Sequence, residues 1–121
     1  MSAHKNQPIT RRFGFAFQGL AAAWRTEGNF RIQLVALVVV IAVLLMLKIE
    51  PFWWALVIIT SGGVLTAELF NTAVEHLADH LHPETHPQIQ IVKDCAAAAV
   101  LVMAVAAVGV GVALLFHLAQ R

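Results

Sequence analysis

Three long apolar stretches dominate the chain and are separated by short polar segments. The first stretch (32–47) contains one polar side chain, Gln33, and the last (95–116) contains no charged residue. A helix of about 20 apolar residues crosses the hydrocarbon core of a bilayer. The adjacent Gly62 and Gly63 in the middle stretch favour close approach of another helix. The pattern therefore predicts three transmembrane helices, at about 29–48, 51–79 and 88–118.

The segment before the first apolar stretch has a helical period of its own. Its large apolar side chains recur at intervals of four, three and four residues: Phe13, Phe17, Leu20 and Trp24. This spacing places them on one face of a helix, with arginines in other directions. We predict an amphipathic helix at about 10–27 that lies on the membrane surface, with Thr10 as its N-cap.

The composition agrees with a membrane protein. Of the 121 residues, 60% are hydrophobic and 12% are charged, whereas soluble domains are typically about 45–50% apolar and about 25% charged. A chain of this length has room for one domain, which we predict to span 1–121. The N-terminal segment lacks an apolar stretch followed by a cleavage site, so we expect no signal peptide.

The distribution of charge predicts the orientation in the membrane. The net charge is +1, but five basic residues precede the first apolar stretch: Lys5, Arg11, Arg12, Arg25 and Arg31. Cytoplasmic segments of membrane proteins carry an excess of lysine and arginine. We therefore expect the N-terminus to be cytoplasmic.

Four polar side chains follow one face of the second predicted span. At about 100° per residue, Glu68, Asn71, Glu75 and Asp79 fall within an arc of about 80°. Ionisable groups at membrane depth are costly and are usually functional. We call these four residues the acidic stripe and take it as the centre of the candidate site.

The predicted topology brings the acidic stripe to the same membrane face as other polar groups: the surface-helix arginines, segment 27–31 and the pair Lys93-Asp94. Mg²⁺ prefers oxygen ligands, and one or two carboxylates suffice when substrate phosphates supply the rest. Lysine and arginine neutralise phosphate charge, and a further carboxylate can take a proton from a hydroxyl. The set fits phosphoryl transfer, although the sequence contains no Walker A motif and no G-x-G-x-x-G motif.

Other interpretations of these polar groups stay open on the residues alone. The acidic stripe also suits an ion or proton pathway, or a polar seam between helices. A pathway needs polar groups at several depths, whereas 32–47 and 95–116 are almost wholly apolar. His76 and His80, followed by His82 and His86, could bind Zn²⁺, but their order is not H-E-x-x-H and interfacial histidines are the simpler interpretation. We expect no nucleic-acid partner.

Four short motifs occur in order between residues 10 and 116. They are Phe17-Gln-Gly-Leu, Glu27-Gly-Asn-Phe-Arg, Glu68-Leu-Phe-Asn-Thr-Ala-Val-Glu with Asp79, and Lys93-Asp94 before an alanine-rich apolar helix. Together they resemble the prokaryotic diacylglycerol kinase family of small membrane lipid kinases. The resemblance implies an all-α integral membrane protein, with three transmembrane helices and an amphipathic N-terminal surface helix. It also implies a homotrimer in the bacterial inner (plasma) membrane, with the active site on the cytoplasmic side.

The resemblance further implies a reaction and a role for each motif residue. The γ-phosphate of ATP would pass, with Mg²⁺ as cofactor, to a membrane lipid alcohol. Glu68 resembles the general base that faces the lipid hydroxyl, and Asn71 would help to orient the hydroxyl or the base. The implied nucleotide contacts are Arg11 or Arg12, Glu27, Glu75, Asp79, Lys93 and Asp94, although the role of Asp79 could instead be structural. Glu27 and Glu75 would hold Mg²⁺, and each site would form between neighbouring subunits.

Two subclasses of the family differ in their lipid substrate. One phosphorylates diacylglycerol to phosphatidate, and the other phosphorylates undecaprenol to undecaprenyl phosphate. The segment Glu27-Gly-Asn-Phe-Arg-Ile and the His82-Pro-x-x-His-Pro loop are more similar to the undecaprenol kinases. We therefore predict undecaprenol as the substrate. Gln90 departs from the family because many relatives carry a basic residue there, which removes one possible phosphate contact.

Overall fold

A computed structural model describes residues 4–121, and this range is helical throughout apart from short connections. Four α-helices follow one another: α1 (Ile9–Thr26), α2 (Gly28–Leu47), α3 (Pro51–Leu81) and α4 (Pro87–Ala119). No strand occurs within the described range, which confirms the predicted all-α class. Helices α2, α3 and α4 are each long and apolar enough to cross a membrane.

Proline marks the beginning of three helices. Pro51 and Pro87 are the first residues of α3 and α4, and Pro8 immediately precedes α1. Proline suits these places because its φ is fixed near the helical value and its missing N–H would have no intrahelical partner. The prediction of Thr10 as N-cap is wrong, because α1 begins at Ile9 and Pro8 occupies the N-cap position.

Glu27 alone forms the joint between α1 and α2. Its backbone is extended, with φ −116° and ψ 106°. Its amide donates to the carbonyl of Ala23 at 2.8 Å, and its own carbonyl accepts from the amide of Arg31 at 3.3 Å. The backbone of Glu27 is therefore hydrogen-bonded to both helices, and these two bonds fix the position of its side chain.

Helices α3 and α4 pack against each other along much of their length, whereas α2 meets α3 over a shorter region. Gly63 permits the close approach of α3 and α4, because a Cβ at this position would overlap the side chain of Met103. A Cβ at Gly62 would meet nothing within 4 Å. The predicted packing role is confirmed for Gly63. For Gly62, which meets no other helix within the described chain, it stays a prediction.

The end of α4 holds the turn between α2 and α3. The guanidinium of Arg121 donates to the carbonyls of Leu47 and Lys48 at 3.1 and 3.3 Å. His117 Nε2 donates to the carboxylate of Glu50 at 3.2 Å. A hydrogen bond from its own backbone, then His117 and Arg121, hold the pKa of Glu50 below its ordinary value against the opposing effect of desolvation. We call these contacts the loop clasp.

The described part of the chain buries few apolar side chains. A small core lies next to the loop clasp and consists of Leu44, Ile49, Val57 and Leu114. Most large apolar side chains of the three long helices remain exposed. Soluble monomers rarely expose apolar patches larger than a few hundred Å². The chain is therefore a membrane protein, whose outer surface faces lipid or other chains, and the predicted homotrimer stays a prediction.

Candidate active site

The acidic stripe changes from buried to solvated along α3. Glu68 is 6% exposed and is the only buried charged side chain among residues 4–121. Asn71 and Glu75 are half-buried, and the side chain of Asp79 is 62% exposed. At 1.5 Å per residue, Glu75 and Asp79 lie about 10 Å and about 16 Å along the axis from Glu68. One helix thus carries a buried carboxylate, Glu68, and an exposed one, Asp79.

Gln33 of α2 contacts the buried end of the stripe. Its amide Nε2 donates to Glu68 Oε1 at 2.9 Å. Within residues 4–121 the Glu68 carboxylate makes no other hydrogen bond and no ion pair. Two acceptor atoms, Gln33 Oε1 and Asn71 Oδ1, are buried without a hydrogen-bond partner in the same range. Buried polar atoms are normally hydrogen-bonded, so the site can still accept hydrogen bonds from a bound molecule.

An apolar cleft adjoins this polar group through Gln33. The cleft has a volume of about 170 Å³ and lies between α2 and the α3–α4 pair. Apart from Gln33 and Ser61, its lining is apolar: Ala36, Leu37, Val40, Val64, Leu65 and Ala107. The hydrogen bond between Gln33 and Glu68 is therefore made in apolar surroundings.

Arg31 caps the end of the surface helix. Its guanidinium Nη1 donates to the carbonyls of Trp24 and Arg25 at 2.9 and 3.2 Å. The last carbonyls of a helix have no intrahelical partner, so this contact ties α1 to the first turn of α2. Glu27 lies at the same joint and is half-buried.

Glu27 and Glu75 were predicted to hold Mg²⁺, and their side chains are available for a ligand. Neither carboxylate makes a hydrogen bond or an ion pair with another residue of the described range. No group of three or more His, Cys, Asp or Glu side chains in 4–121 is placed to hold a metal ion. Two free carboxylates nevertheless have the oxygen chemistry that Mg²⁺ uses when phosphates complete its coordination.

Lys93 and Asp94 are each paired with another side chain. Lys93 Nζ lies 2.5 Å from Asp79 Oδ1, so the ion pair joins the start of α4 to the end of α3. Gln90 Nε2 donates to Asp94 Oδ1 at 2.8 Å. The sequence predicted a phosphate contact for Lys93 and left a nucleotide contact or a structural role open for Asp79. Because the two side chains bind each other, a phosphate that bound Lys93 would have to compete with Asp79 for it.

Neither Arg11 nor Arg12 of α1 is bonded to these groups within the described residues. Arg11 Nη1 donates to Gln7 Oε1 at 3.3 Å, and Arg12 lines a surface pocket with Phe13. In the part of the chain that the structure describes, neither arginine pairs with a carboxylate of the acidic stripe. A single chain therefore shows no bond that joins Arg11 or Arg12 to the other predicted nucleotide contacts.

The histidines contact the backbone around the loop 82–86. His82 Nδ1 donates to the carbonyl of Glu84 at 2.8 Å, and His86 Nδ1 accepts from the amide of Gln88 at 3.1 Å. His76 Nδ1 lies 2.8 Å from the carbonyl of Thr72. The contacts of His82 and His86 order the loop and cap α4.

Two residues of this region were missed as contributors from the sequence. Gln33 was noted only as the one polar side chain of its apolar stretch, and Arg31 only as part of a motif and of the basic N-terminal charge. A usable signal existed for each. An amide at membrane depth needs a polar partner, and a basic residue just beyond a helix end can bond its last carbonyls.

Comparison with known proteins identifies related chains. The family model for prokaryotic diacylglycerol kinase matches residues 14–115. The chain is 40% identical over 104 residues to a protein of Synechocystis named diacylglycerol kinase, which covers 85% of this chain and 59% of that protein. The chain therefore spans less than two thirds of the Synechocystis protein.

Two further relatives are matched over most of their length. The undecaprenol kinase of Bacillus subtilis is 33% identical over 104 residues, which cover 84% of this chain and 85% of that protein. The diacylglycerol kinase of Escherichia coli is 31% identical over 100 residues, which cover 83% of this chain and 82% of that protein.

Proposed function

We propose that the chain transfers the γ-phosphate of ATP to undecaprenol. The premise is that the chain belongs to the prokaryotic diacylglycerol kinase family, whose members are lipid kinases. The products would be undecaprenyl phosphate and ADP. The observation that carries the proposal is the buried carboxylate of Glu68 beside an apolar cleft, bonded by Gln33. A carboxylate at this depth can meet the hydroxyl of a lipid that does not leave the bilayer.

Glu68 would act as the general base. The hydroxyl proton of the lipid passes to Glu68 Oε2, the oxygen that Gln33 does not occupy. The alcohol oxygen then bonds to the γ-phosphorus while the bond from that phosphorus to the β–γ bridging oxygen breaks. ADP keeps the electron pair, and Glu68 afterwards releases its proton to water. Asn71, whose Oδ1 is buried without a partner in the described range, would orient the hydroxyl or the base.

The nucleotide would bind closer to water, at the more exposed end of the acidic stripe. Glu27 and Glu75 have free carboxylates that fit Mg²⁺. The metal would supply charge neutralisation on the β- and γ-phosphates. The remaining proposed nucleotide contacts are Asp79, Lys93, Asp94 and either Arg11 or Arg12. Lys93 would exchange its carboxylate partner Asp79 for a phosphate oxygen.

A homotrimer in the inner membrane, with the site facing the cytoplasm, would complete this arrangement. In the single chain no bond joins Arg11 or Arg12 to the acidic stripe, and most large apolar side chains are exposed. A neighbouring subunit could supply further basic groups to the site and an apolar contact surface. The basic N-terminal segment supports the cytoplasmic side for this face.

The substrate alcohol is proposed on a resemblance and a comparison. The segment Glu27-Gly-Asn-Phe-Arg-Ile and the His82-Pro-x-x-His-Pro loop resemble undecaprenol kinases, and the Bacillus subtilis undecaprenol kinase is matched over 85% of its length. Diacylglycerol is the second candidate. It is favoured by the 40% identity to the Synechocystis diacylglycerol kinase.

The test uses purified protein, ATP labelled in the γ-phosphate, and each lipid alcohol in separate detergent micelles. Labelled undecaprenyl phosphate is the expected product. Labelled phosphatidate alone would select diacylglycerol and refute the preferred substrate. No labelled product from either lipid would refute the kinase proposal, and cation flux through the protein in vesicles would then support the ion or proton pathway.

A further inference from the structure

We propose that Gln33 is a positioning residue for Glu68. Its amide would hold one carboxylate oxygen so that the other is presented to the lipid hydroxyl. The inference rests on the proposed function because it needs Glu68 as the base. Nothing in the motifs assigned this role to the residue at position 33.

The geometry of the contact supports positioning. Gln33 Nε2 donates to Glu68 Oε1 at 2.9 Å, across a sequence separation of 35 residues. Glu68 has three side-chain torsions, and Gln33 is its only hydrogen-bond partner in residues 4–121. Without the amide, no group in the described chain donates a hydrogen bond to the carboxylate. The bond therefore determines which oxygen is occupied and which is left for the substrate.

The chemistry of the donor also matters. An amide is neutral, so it orients the carboxylate without the full opposite charge of a lysine or arginine. A cation at this place would lower the proton affinity of the carboxylate and weaken it as a base. No cation pairs with Glu68 in the described range. The described chain thus orients the carboxylate with a neutral donor and pairs no cation with it.

The main alternative is that the bond only joins α2 to α3. Helix α2 meets α3 over a short region, and a polar link would help to set the register of the two helices. A purely structural role and a positioning role predict different kinetics. The positioning role lowers turnover of folded enzyme, whereas the structural role lowers the amount or stability of folded enzyme.

The first variant is Gln33→Met, which keeps a long flexible side chain and removes the donor. A hydrogen bond to a charged group is worth enough that kcat should fall by about tenfold to a hundredfold. The KM for ATP should stay unchanged, because the proposed nucleotide contacts lie elsewhere. Leu34→Met is the matched control, since it places the same side chain at the neighbouring half-buried position. Its kcat should equal that of the wild type.

The second variant is Gln33→Glu, which makes the donor conditional on pH. Two carboxyl groups in contact share a proton, so the introduced carboxyl group can donate to Glu68 only while the pair keeps that proton. The ratio of the variant's kcat to the wild-type kcat should therefore be highest at low pH and fall as pH rises. The same ratio for Gln33→Met should not vary with pH. The pH dependence of the kcat ratio of Gln33→Glu can be measured even if Gln33→Met folds poorly.

The outcomes separate this inference from the proposed function. Wild-type protein that phosphorylates neither lipid refutes both. Active wild type with a Gln33→Met kcat within about twofold of it refutes the positioning role alone. The positioning role is also refuted if the kcat ratio of Gln33→Glu does not depend on pH, whatever the yield of Gln33→Met. A pH-dependent Gln33→Glu together with an impaired, folded Gln33→Met supports it.

Discussion

Replacement of Glu68 by glutamine is the most direct test of the proposed base. The structure makes this change conservative for folding. Gln33 Nε2 donates to Glu68 Oε1 at 2.9 Å, and the amide oxygen of a glutamine at position 68 can accept the same bond. The side-chain volume hardly changes at a position that is only 6% exposed. The variant should fold like the wild type and should lack only a group that takes a proton.

The expected loss follows from the value of general base catalysis. Proton transfer by a positioned side chain typically contributes about 10² to 10⁴ in rate. Glu68→Gln should therefore lower kcat by about that factor, which is a rise of about 3–5 kcal/mol in the activation free energy. The KM for ATP should change little, because Glu75 lies about 10 Å along the helix from Glu68. Phosphate transfer from labelled ATP to the lipid measures both constants.

The matched control is Glu84→Gln. Glu84 lies in the exposed loop 82–86, where its side chain makes no hydrogen bond or ion pair within the described residues. The control removes the same charge from the same end of the bundle and should keep wild-type turnover. A Glu68→Gln enzyme with a kcat within about tenfold of the wild type would show that another group accepts the proton. The assigned role of Glu68 would then be wrong.

Three further predictions test the nucleotide side, the helix packing and the loop clasp. Glu75→Gln should raise the KM for ATP at limiting Mg²⁺ and spare kcat at saturation, and an unchanged dependence on Mg²⁺ would exclude Glu75 as a ligand. Gly63→Ala should be about 1 kcal/mol less stable to unfolding in detergent than Gly62→Ala, because only the former overlaps Met103; equal stabilities would contradict the packing. Since the pKa of Glu50 is lowered in the folded state, its contribution is present above the ordinary value of 4.5 and is lost as pH falls through the lower folded value. The melting temperature of the wild type should therefore approach that of Glu50→Gln in acid. A difference between the two melting temperatures that stays constant with pH would show that the loop clasp does not stabilise the fold through the charge of Glu50.

The helices were predictable because each carries its own signal. Long apolar stretches define the spans, and proline begins α3 and α4. The acidic stripe was also predictable, since residues at helical spacing share a face whatever that face contacts. The N-cap of α1 was predicted wrongly. Thr10 and Pro8 both stand near the start of the apolar pattern, and Pro8 takes the N-cap position.

The contact between Gln33 and Glu68 could not be predicted from spacing. Helix α2 is apolar on nearly all sides, so its sequence does not indicate which face meets α3. Gln33 and Glu68 are 35 residues apart in the sequence, and their contact depends on how α2 and α3 are rotated against each other. Arg31 is similar, because its contact with the end of α1 depends on the bend at Glu27. Tertiary geometry decides both contacts.

The two ends of the acidic stripe fit the two substrates proposed for this helix. Glu68 is buried and accepts a hydrogen bond from a neutral amide, whereas Asp79 is largely exposed and pairs with the cation of Lys93. In the proposed mechanism Glu68 is the base, and no cation pairs with it within the described residues. Under the same proposal, Lys93 would supply the positive charge that a phosphate needs, and the phosphate would replace Asp79 as its partner. The proposed base and the proposed phosphate contact are thus separated along one helix, because Asp79 lies about 16 Å along the axis from Glu68.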